Sequence, residues 1–327
     1  MQTVTLARNA MATRFEIVLH GDNAASLRAA GEEALDEIVR LENQLSLYRP
    51  GSEIAQLNSR AAREAVLVSP EAFALLQRAQ RLSAETEGAF DITIAPLVRC
   101  WGFMGGAGKM PAAEDVAAAR EKVGMEKILL DAATRTVRFA REGVMLDLGA
   151  IGKGHAVERA AEILRDAGVT SALIHGGTST VHAIGCPPDA ECWRVAIEQP
   201  PAAVWSPAFT RSGIAEPPEG GTPNALPVAA LRDEAMSVSA MWGRYFDADG
   251  KNFGHVIDPR TGQPAEAALL AAVILPSATE TDALSTALLT LGPAGESKIS
   301  SLRSGMRTLV IGREGARHSC RFDAKDS

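Results

Sequence analysis

The pattern of apolar and polar positions predicts a chain that mixes strands and helices. Residues 13–19 alternate between apolar and polar side chains, as half-buried strands do, and residues 23–47 carry apolar side chains at helical spacing. The same patterns predict helices over 71–86, 114–123, 155–164 and 278–292, and strands over 137–139, 144–146 and 193–200. Periodicity indicates the type of each element but not how the elements are arranged.

One glycine-rich stretch separates a predicted strand from a predicted helix. Residues 145–159 read MLDLGAIGKGHAVER, with Gly149, Gly152 and Gly154 at the turn. Glycines let the backbone turn tightly and approach a ligand, and the first N–H groups of the following helix favour an anion. Lys153 adds a positive charge suited to phosphate. The glycine spacing matches neither a dinucleotide fingerprint nor a Walker loop, so an anion site and a plain turn both stay open.

Composition and charge exclude several classes of partner. The net charge of −7 at pH 7 and the pI near 5.5 argue against a nucleic-acid or anionic-membrane surface. A phosphate ligand would therefore need a locally basic pocket or a metal. No run approaches the roughly 18 apolar residues of a membrane span, which predicts that no integral membrane segment is present. The N-terminus has no apolar signal region, which predicts a cytoplasmic protein as written, or an exported one if a leader was trimmed.

Several blocks of the sequence, in the same order, resemble one family. DLGAIGKG (147–154) is similar to the DLGGIAKGYA block of the FAD:protein FMN transferases, the ApbE family, and TEGAFDITIAPLVRCWGF (86–103) is similar to a second block. Residues 236–265 and 278–292 resemble two more. The resemblance implies an α+β fold of mixed, mainly antiparallel sheets with flanking helices in two intertwined subdomains. It also implies one catalytic unit over 1–327, with a proline-rich surface insertion at about 200–230.

The resemblance also implies a flavin-binding surface built from separate parts of the chain. Met11, Tyr48 and the run Ala89, Phe90 and Asp91 match positions that lie against the flavin in the family. Read locally, Met11 is a core residue at a strand edge, Tyr48 a surface ring, and Asp91 a loop cap beside a buried Phe90. The other residues that the resemblance assigns to FAD binding are Lys153, Ser239, Arg244 and His255.

Two residues of the last block are candidate metal ligands. Asp282 and Thr286 lie four positions apart and therefore share one face of a predicted helix. A carboxylate, a hydroxyl and a backbone carbonyl are hard oxygen ligands that Mg²⁺ accepts. The family takes that carbonyl from the position of Gly152. Read alone, Asp282 would more often be a helix-cap residue.

His255 is the candidate for proton transfer. It is predicted to lie on a strand between two turns, close to the second. An imidazole changes charge near neutral pH, which suits it to move a proton or to bind phosphate. The resemblance gives catalytic roles to His255 and Asp282. The local alternative for His255 is a strand histidine whose hydrogen bonds are all satisfied.

The activity that the resemblance implies is Mg²⁺-dependent flavin transfer. Such an enzyme cleaves FAD, attaches FMN to a Ser or Thr hydroxyl of a target flavoprotein and releases AMP. Two alternatives stay open, an FAD pyrophosphatase that yields FMN and AMP, and a non-catalytic FAD-binding protein. They stay open because four positions depart from the family pattern, namely Thr178, Ala240, Met241 and Trp242.

Overall fold

The computed structural model describes residues 1–198, 228–248, 251–313 and 317–320. The strands are β1 (Gln2–Ala10), β2 (Thr13–Gly21), β3 (Val66–Leu67), β4 (Ile128–Asp131), β5 (Thr136–Phe139), β6 (Ala172–Gly176), β7 (Thr180–Ile184), β8 (Trp193–Ala196), β9 (Val228–Leu231), β10 (Ala235–Ala240), β11 (Tyr245–Ala248), β12 (Lys251–Gly254), β13 (Ala268–Leu275), β14 (Arg307–Gly312) and β15 (Arg317–Cys320). The helices are α1 (Ala24–Leu45), α2 (Glu53–Arg60), α3 (Pro70–Glu85), α4 (Ala95–Cys100), α5 (Ala113–Arg120), α6 (Gly152–Asp166), α7 (Ala278–Leu291) and α8 (Glu296–Ser301). Short 3₁₀ helices cover Met125–Lys127 and Pro293–Gly295.

Helices α1 and α3 form where apolar residues at helical spacing follow a capping side chain. Helix α1 buries one face, and the Asn23 side chain accepts hydrogen bonds from the backbone N–H groups of Ala25 and Ser26 at its first turn. Helix α3 begins in the same way after Ser69, with Pro70 at its first position. The helices predicted at 23–47, 71–86 and 278–292 are confirmed as α1, α3 and α7.

An eight-stranded sheet lies at the centre of the described fold. Its order is β1-β2-β6-β7-β10-β13-β14-β15, and every neighbouring pair is antiparallel. Strand β13 is buried along its whole length, and its residues alternate between the apolar cores on the two faces of the sheet. Helices α1, α6 and α7 pack side by side on one face. The turn that starts α6 is thereby brought beside α7.

Smaller elements cover the other face and one end of this sheet. Hairpin β8–β9 buries Trp193 and Leu231 in the core on the opposite face. Strands β3, β5 and β4 form a separate three-stranded sheet. Strands β11 and β12 pair with each other, and their Phe246 and Phe253 pack against Trp101 at the end of α4. These mainly antiparallel sheets with flanking helices confirm the predicted α+β class.

Some local predictions differ from the structure or lie beyond what it describes. Residues 144–146 form no strand, because the N–H of Leu146 donates to the Asn58 side chain and the N–H of Asp147 donates to the carbonyl of Ile92. The strand predicted over 193–200 ends at Ala196. Of the predicted insertion, residues 200–227 lie outside the described residues, and 228–230 belong to β9. Within the described ranges, no helix combines the length and apolar character needed to cross a membrane.

Candidate active site

A cavity of about 780 Å³ opens where α6, α7 and β10 meet the segments 89–98 and 242–259. This volume lies in the range of pockets that hold small organic ligands. Met11 and Gly152 are not among the residues that line the cavity. The predicted site residues that do line it are Tyr48, Ala89, Phe90, Asp91, Lys153, Ser239, Arg244, His255, Asp282 and Thr286.

Helices α6 and α7 form one wall of the cavity and touch at a glycine. A Cβ at Gly154 would stand 2.2 Å from the carbonyl oxygen of Ala278 and 2.6 Å from the Cβ of Asp282, so only glycine allows this approach. The Gly154 N–H donates to Oδ2 of Asp282 at 2.9 Å. Asp282 is buried, with 4% of its surface exposed. The predicted anion-binding helix terminus therefore engages a carboxylate of the protein itself.

Three hydroxyl groups lie close together one turn along α7 from Asp282, and those of Ser239 and Thr286 belong to residues that line the cavity. The Thr286 hydroxyl donates to the backbone carbonyl of Asp282 at 3.3 Å. The Ser239 hydroxyl, on β10, lies 3.2 Å from that of Thr286 and 2.9 Å from that of Ser285. Carboxylate and hydroxyl oxygens are the donors that Mg²⁺ prefers, so this wall has the chemistry of a magnesium site.

A metal at this wall would depend on a single carboxylate. In the part of the chain that the structure describes, no group of three or more His, Cys, Asp or Glu side chains is arranged to hold a metal ion. Asp282 and Thr286 would therefore need a backbone carbonyl, together with waters or ligand phosphate oxygens, to complete the coordination of an ion. Gly152, the predicted source of the carbonyl, is the buried first residue of α6.

Asp147 lines the cavity, although the sequence patterns did not predict it as a site residue. Its Oδ1 accepts the N–H of Gly149 at 2.8 Å, which shapes the turn before α6. Burial raises the pKa of Asp147, while the Gly149 N–H and the positive charge of Lys153 oppose that rise. The only sequence signal was its place in the DLG triplet at the start of the glycine-rich stretch.

The segment 89–91 forms a second part of the wall, and Asp91 organises it. One carboxylate oxygen of Asp91 accepts the N–H and the hydroxyl of Thr93, at 2.7 and 2.6 Å, and the other accepts the N–H of Met125 at 3.1 Å. Phe90 is 1% exposed. The local alternative, a loop-organising Asp91 beside a buried Phe90, thus describes their packing, and both residues also border the cavity.

His255 and Arg244 form another part of the cavity wall, and backbone carbonyls orient both. His255 directly follows β12 instead of lying on it. Its Nδ1 lies 3.1 Å from the Arg244 carbonyl, and because a carbonyl only accepts, Nδ1 carries the proton and Nε2 keeps its lone pair. Burial lowers the pKa of His255, and the charges of Arg244 and Lys153 lower it further against the hydrogen bond to that carbonyl. His255 is therefore a neutral proton acceptor near pH 7.

Arg244 and Tyr48 stand at the more open side of the cavity. The Nη2 of Arg244 donates to the carbonyls of Phe103 and Gly106, at 2.8 and 2.9 Å, which ties the segment after α4 to this wall. Tyr48 is 62% exposed at the edge of the cavity. Burial of the remainder, together with the negative charge of Asp147, raises the pKa of its phenol.

Met11 lies in the two-residue turn between β1 and β2. Met11 and Ala12 have φ angles of 51° and 58°, as a type I′ hairpin turn requires. The Met11 side chain packs, partly buried, against the main core, away from the cavity lining. Of the four departures from the family pattern, Met241 is buried in the core. The cavity lining includes the other three, namely Thr178, Ala240 and Trp242.

Solved structures share both the fold and the extent of this chain. The ApbE protein from Thermotoga maritima superposes with a TM-score of 0.82 at 27% identity, covering 97% of this chain and 96% of its own. The apo form of the flavinyl transferase ApbE from Pseudomonas stutzeri gives a TM-score of 0.80 at 30% identity, covering 98% of this chain and 95% of its own. The architecture described above is thus that of the ApbE structures.

The sequence comparison gives the same family. The chain belongs to the ApbE family, whose pattern it matches over residues 11–310. It is similar to a protein named FAD:protein FMN transferase in Klebsiella pneumoniae (strain 342), with 30% identity over 302 residues, 89% of this chain and 78% of the relative. A protein of the same name in Treponema pallidum is 30% identical over 82% of this chain and 73% of its own length. The predicted family is confirmed.

Proposed function

We propose that this protein cleaves FAD, transfers the FMN half to a Ser or Thr hydroxyl of a target flavoprotein, and releases AMP. Membership of the ApbE family, with relatives named FAD:protein FMN transferase, supports flavin transfer as the reaction class. One observation supports the specific reaction, cleavage of FAD with transfer of FMN. A carboxylate, a group of hydroxyls, an ammonium and a neutral imidazole, from Asp282, Thr286, Ser239, Lys153 and His255, line one cavity.

The metal in this proposal is Mg²⁺, held by the helix wall. Asp282 and Thr286 would bind it, with the carbonyl of Gly152 and phosphate oxygens of FAD as further ligands. When bound, Mg²⁺ neutralises pyrophosphate charge and polarises the phosphorus on the FMN side. Lys153, from the same turn, supplies a fixed positive charge toward the phosphates. Charge stabilisation and positioning then do most of the catalysis, as is usual in phosphoryl transfer.

His255 takes the proton in the transfer step. The hydroxyl oxygen of the acceptor attacks the phosphorus on the FMN side, and its proton passes to Nε2 of His255. A phosphoester bond to FMN forms, the phosphoanhydride bond breaks, and AMP leaves with the electron pair. The hydrogen bond from Nδ1 to the Arg244 carbonyl supports this role, because it keeps Nε2 unprotonated before the step and stabilises the imidazolium after it.

The flavin in this proposal lies along the wall formed by Tyr48 and residues 89–91. Tyr48 supplies an exposed ring at the cavity edge, and Ala89 and Asp91 border the interior. Apolar side chains from β7, β8 and β10 continue the lining on the far side, namely Val181, Val195, Met236 and Val238. A long ligand with aromatic ends and a charged middle matches a cavity that combines these apolar side chains with Lys153 and Asp282 at the helix wall.

One incubation separates the proposal from its alternatives. The protein is mixed with FAD and MgCl₂, with and without a flavin-acceptor domain, and AMP and the acceptor mass are measured. Transfer predicts the mass of FMN on the acceptor and equimolar AMP, both lost in excess chelator. Equal AMP with and without the acceptor, and no mass change, would make the protein a pyrophosphatase. Tight FAD binding without AMP in either mixture would make it a binding protein.

A further inference from the structure

A partly buried carboxylate joins α6 to α7 one helical turn beyond Gly154. Glu158 lies on α6, and its Oε2 accepts the hydroxyl of Ser277 at 2.6 Å and the N–H of Thr279 at 2.9 Å. Ser277 and Thr279 form the N-terminus of α7. The two helices are therefore hydrogen-bonded at two levels, at Gly154 with Asp282 and at Glu158 with the start of α7.

A third helix fixes the orientation of this carboxylate. Arg78 on α3 donates Nη1 to Oε1 of Glu158 at 2.7 Å and Nη2 to the hydroxyl of Ser277. The Glu158 side chain is 18% exposed, so the pair is largely shielded from water. Both carboxylate oxygens thus have partners on other helices, which holds the side chain in one rotamer.

These bonds go beyond what the helix end requires. Ser277 already caps α7, because its hydroxyl accepts the N–H of Glu280 at 3.1 Å. The contacts of Glu158 run between helices. An ion pair that is largely shielded from water is costly to desolvate, so the pair of Glu158 and Arg78 adds little to the stability of the fold by itself. Asp282 follows Thr279 by three residues, about 4.5 Å along the axis. A shift of the α7 N-terminus would therefore carry Asp282 with it.

We infer that Glu158 is a positioning residue, which ties the start of α7 to α6 and so fixes where Asp282 and Thr286 stand relative to the first turn of α6. The inference rests on the proposed metal site. Metal ligands need placement to within about half an ångström. Among the described residues, removal of Glu158 leaves the bond from the Gly154 N–H to Asp282 as the remaining hydrogen bond between α6 and α7. Helix α7 then gains freedom to slide and rotate.

Metal binding without turnover tests this role. Free Mn²⁺, added as MnCl₂ alone, is counted by its electron paramagnetic resonance signal in titrations of the wild type, Glu158→Ala and Glu158→Gln. We expect the dissociation constant for Mn²⁺ to rise about tenfold or more in Glu158→Ala. Glu158→Gln keeps an acceptor oxygen but loses the charge opposite Arg78, and we expect an intermediate rise. FAD affinity in EDTA should change less than about twofold in both.

Two control variants distinguish a specific effect on metal binding from general destabilisation. Glu162→Ala removes another carboxylate of α6, which pairs with Arg159 on the surface, and should leave Mn²⁺ binding unchanged. Val137→Ala opens space in the buried interior of β5, and should lower the melting temperature with Mn²⁺ binding intact. If Val137→Ala weakens Mn²⁺ binding as much as Glu158→Ala does, the effect is general destabilisation and the inference is wrong.

The outcomes also separate this inference from the proposed function. Wild-type affinity for Mn²⁺ in both Glu158 variants, with Asp282→Ala unable to bind, would overturn the role of Glu158 and leave the metal site standing. If Glu158→Ala does not fold, Glu158→Gln alone decides. Equal Mn²⁺ binding by the wild type and Asp282→Ala would remove the metal site from the proposed function, and the positioning role with it.

Discussion

The two walls of the cavity are built by different means. The helix wall places Asp282 through backbone contact so close that Gly154 has no room for a Cβ, and hydrogen bonds that join α3, α6 and α7 support it. The wall formed by His255 and Arg244 presents these side chains from a strand end and a loop, each oriented by hydrogen bonds to carbonyls. Close packing suits fixed oxygen ligands, whereas a hydrogen-bonded ring suits a group that gains and loses a proton.

The largest effect is expected from Asp282. Asp282→Ala should reduce AMP release to background, because the proposed metal loses its only carboxylate ligand. Asp282→Asn keeps an acceptor for the Gly154 N–H and should still lose turnover, since the charge is gone. Activity is followed by AMP release, and folding by the melting temperature. Undiminished turnover in either variant, or of the wild type in excess chelator, would contradict the assignment of this wall to metal binding.

His255→Ala should cut kcat by about 10²–10⁴-fold while FAD affinity changes little. Because protonated imidazole cannot accept a proton, and because the pKa of His255 is lowered, wild-type kcat should be flat above about pH 6.5 and fall only at lower pH. The variant should lack that acidic limb. Measurements of kcat from pH 5 to 8, with the dissociation constant for FAD, check this. Normal turnover per folded molecule at a lower melting temperature would make His255 a structural residue.

Gly154→Ala should destabilise the protein by about 1–3 kcal/mol, because the added methyl would overlap the backbone of α7. Gly51→Ala is the matched control. No atom lies within 4 Å of a Cβ at Gly51, and its effect should stay within about 0.5 kcal/mol. Urea unfolding of the two variants gives the comparison. Equal stability of Gly154→Ala and the wild type would mean that α6 and α7 separate at little cost. The helix wall would then not be held by close packing.

The smallest effect is expected from His182, which is buried in the core. His182 on β7 accepts a hydrogen bond from Arg165 of α6, and burial, helped by the Arg165 charge, lowers its pKa to about 4. The folded state then binds fewer protons than the unfolded state between about pH 6.5 and 4, so stability contributed by neutral His182 is lost as pH falls through that window. His182→Gln should flatten this part of the stability curve, followed by urea unfolding.

Substitutions of His182 and His255 are expected to change different measurements. His182 is 1% exposed and does not line the cavity, so its substitution should alter the pH dependence of stability and leave the acidic limb of kcat in place. His255→Ala should do the reverse. Identical effects of the two substitutions on stability and on kcat would show that the two histidines do not have separate structural and catalytic roles.

Sequence patterns predicted the elements and the family because those signals are local. The spacing of Leu27 through Leu45 defines α1, and the glycine-rich block and the Asp282 block carry family residues in fixed order. Flavin transfer as the reaction class, read from those blocks, agrees with the names of the relatives. The individual roles of the site residues and the magnesium ion stay predictions.

What the sequence could not give depends on contacts between distant residues. Asp91 binds the N–H of Met125, and Glu158 binds that of Thr279, pairs whose meeting depends on the whole fold. Residues 144–146 look like a strand, yet the N–H and the carbonyl of Leu146 bond to the side chain of Asn58 on α2. Met11 sits in a tight hairpin turn whose geometry directs its side chain to the core, and no local pattern announces that direction.

The hydrogen bond between Gly154 and Asp282 affects how a metal ion would bind and dissociate. The carboxylate is already held by a backbone amide in the folded protein, so its side-chain freedom is lost during folding. An ion that bound there would order little further, and its loading would be separate from the folding reaction, unlike that of domains that fold only around a metal. Such a site can release and regain its ion in each cycle while the surrounding helices stay in place.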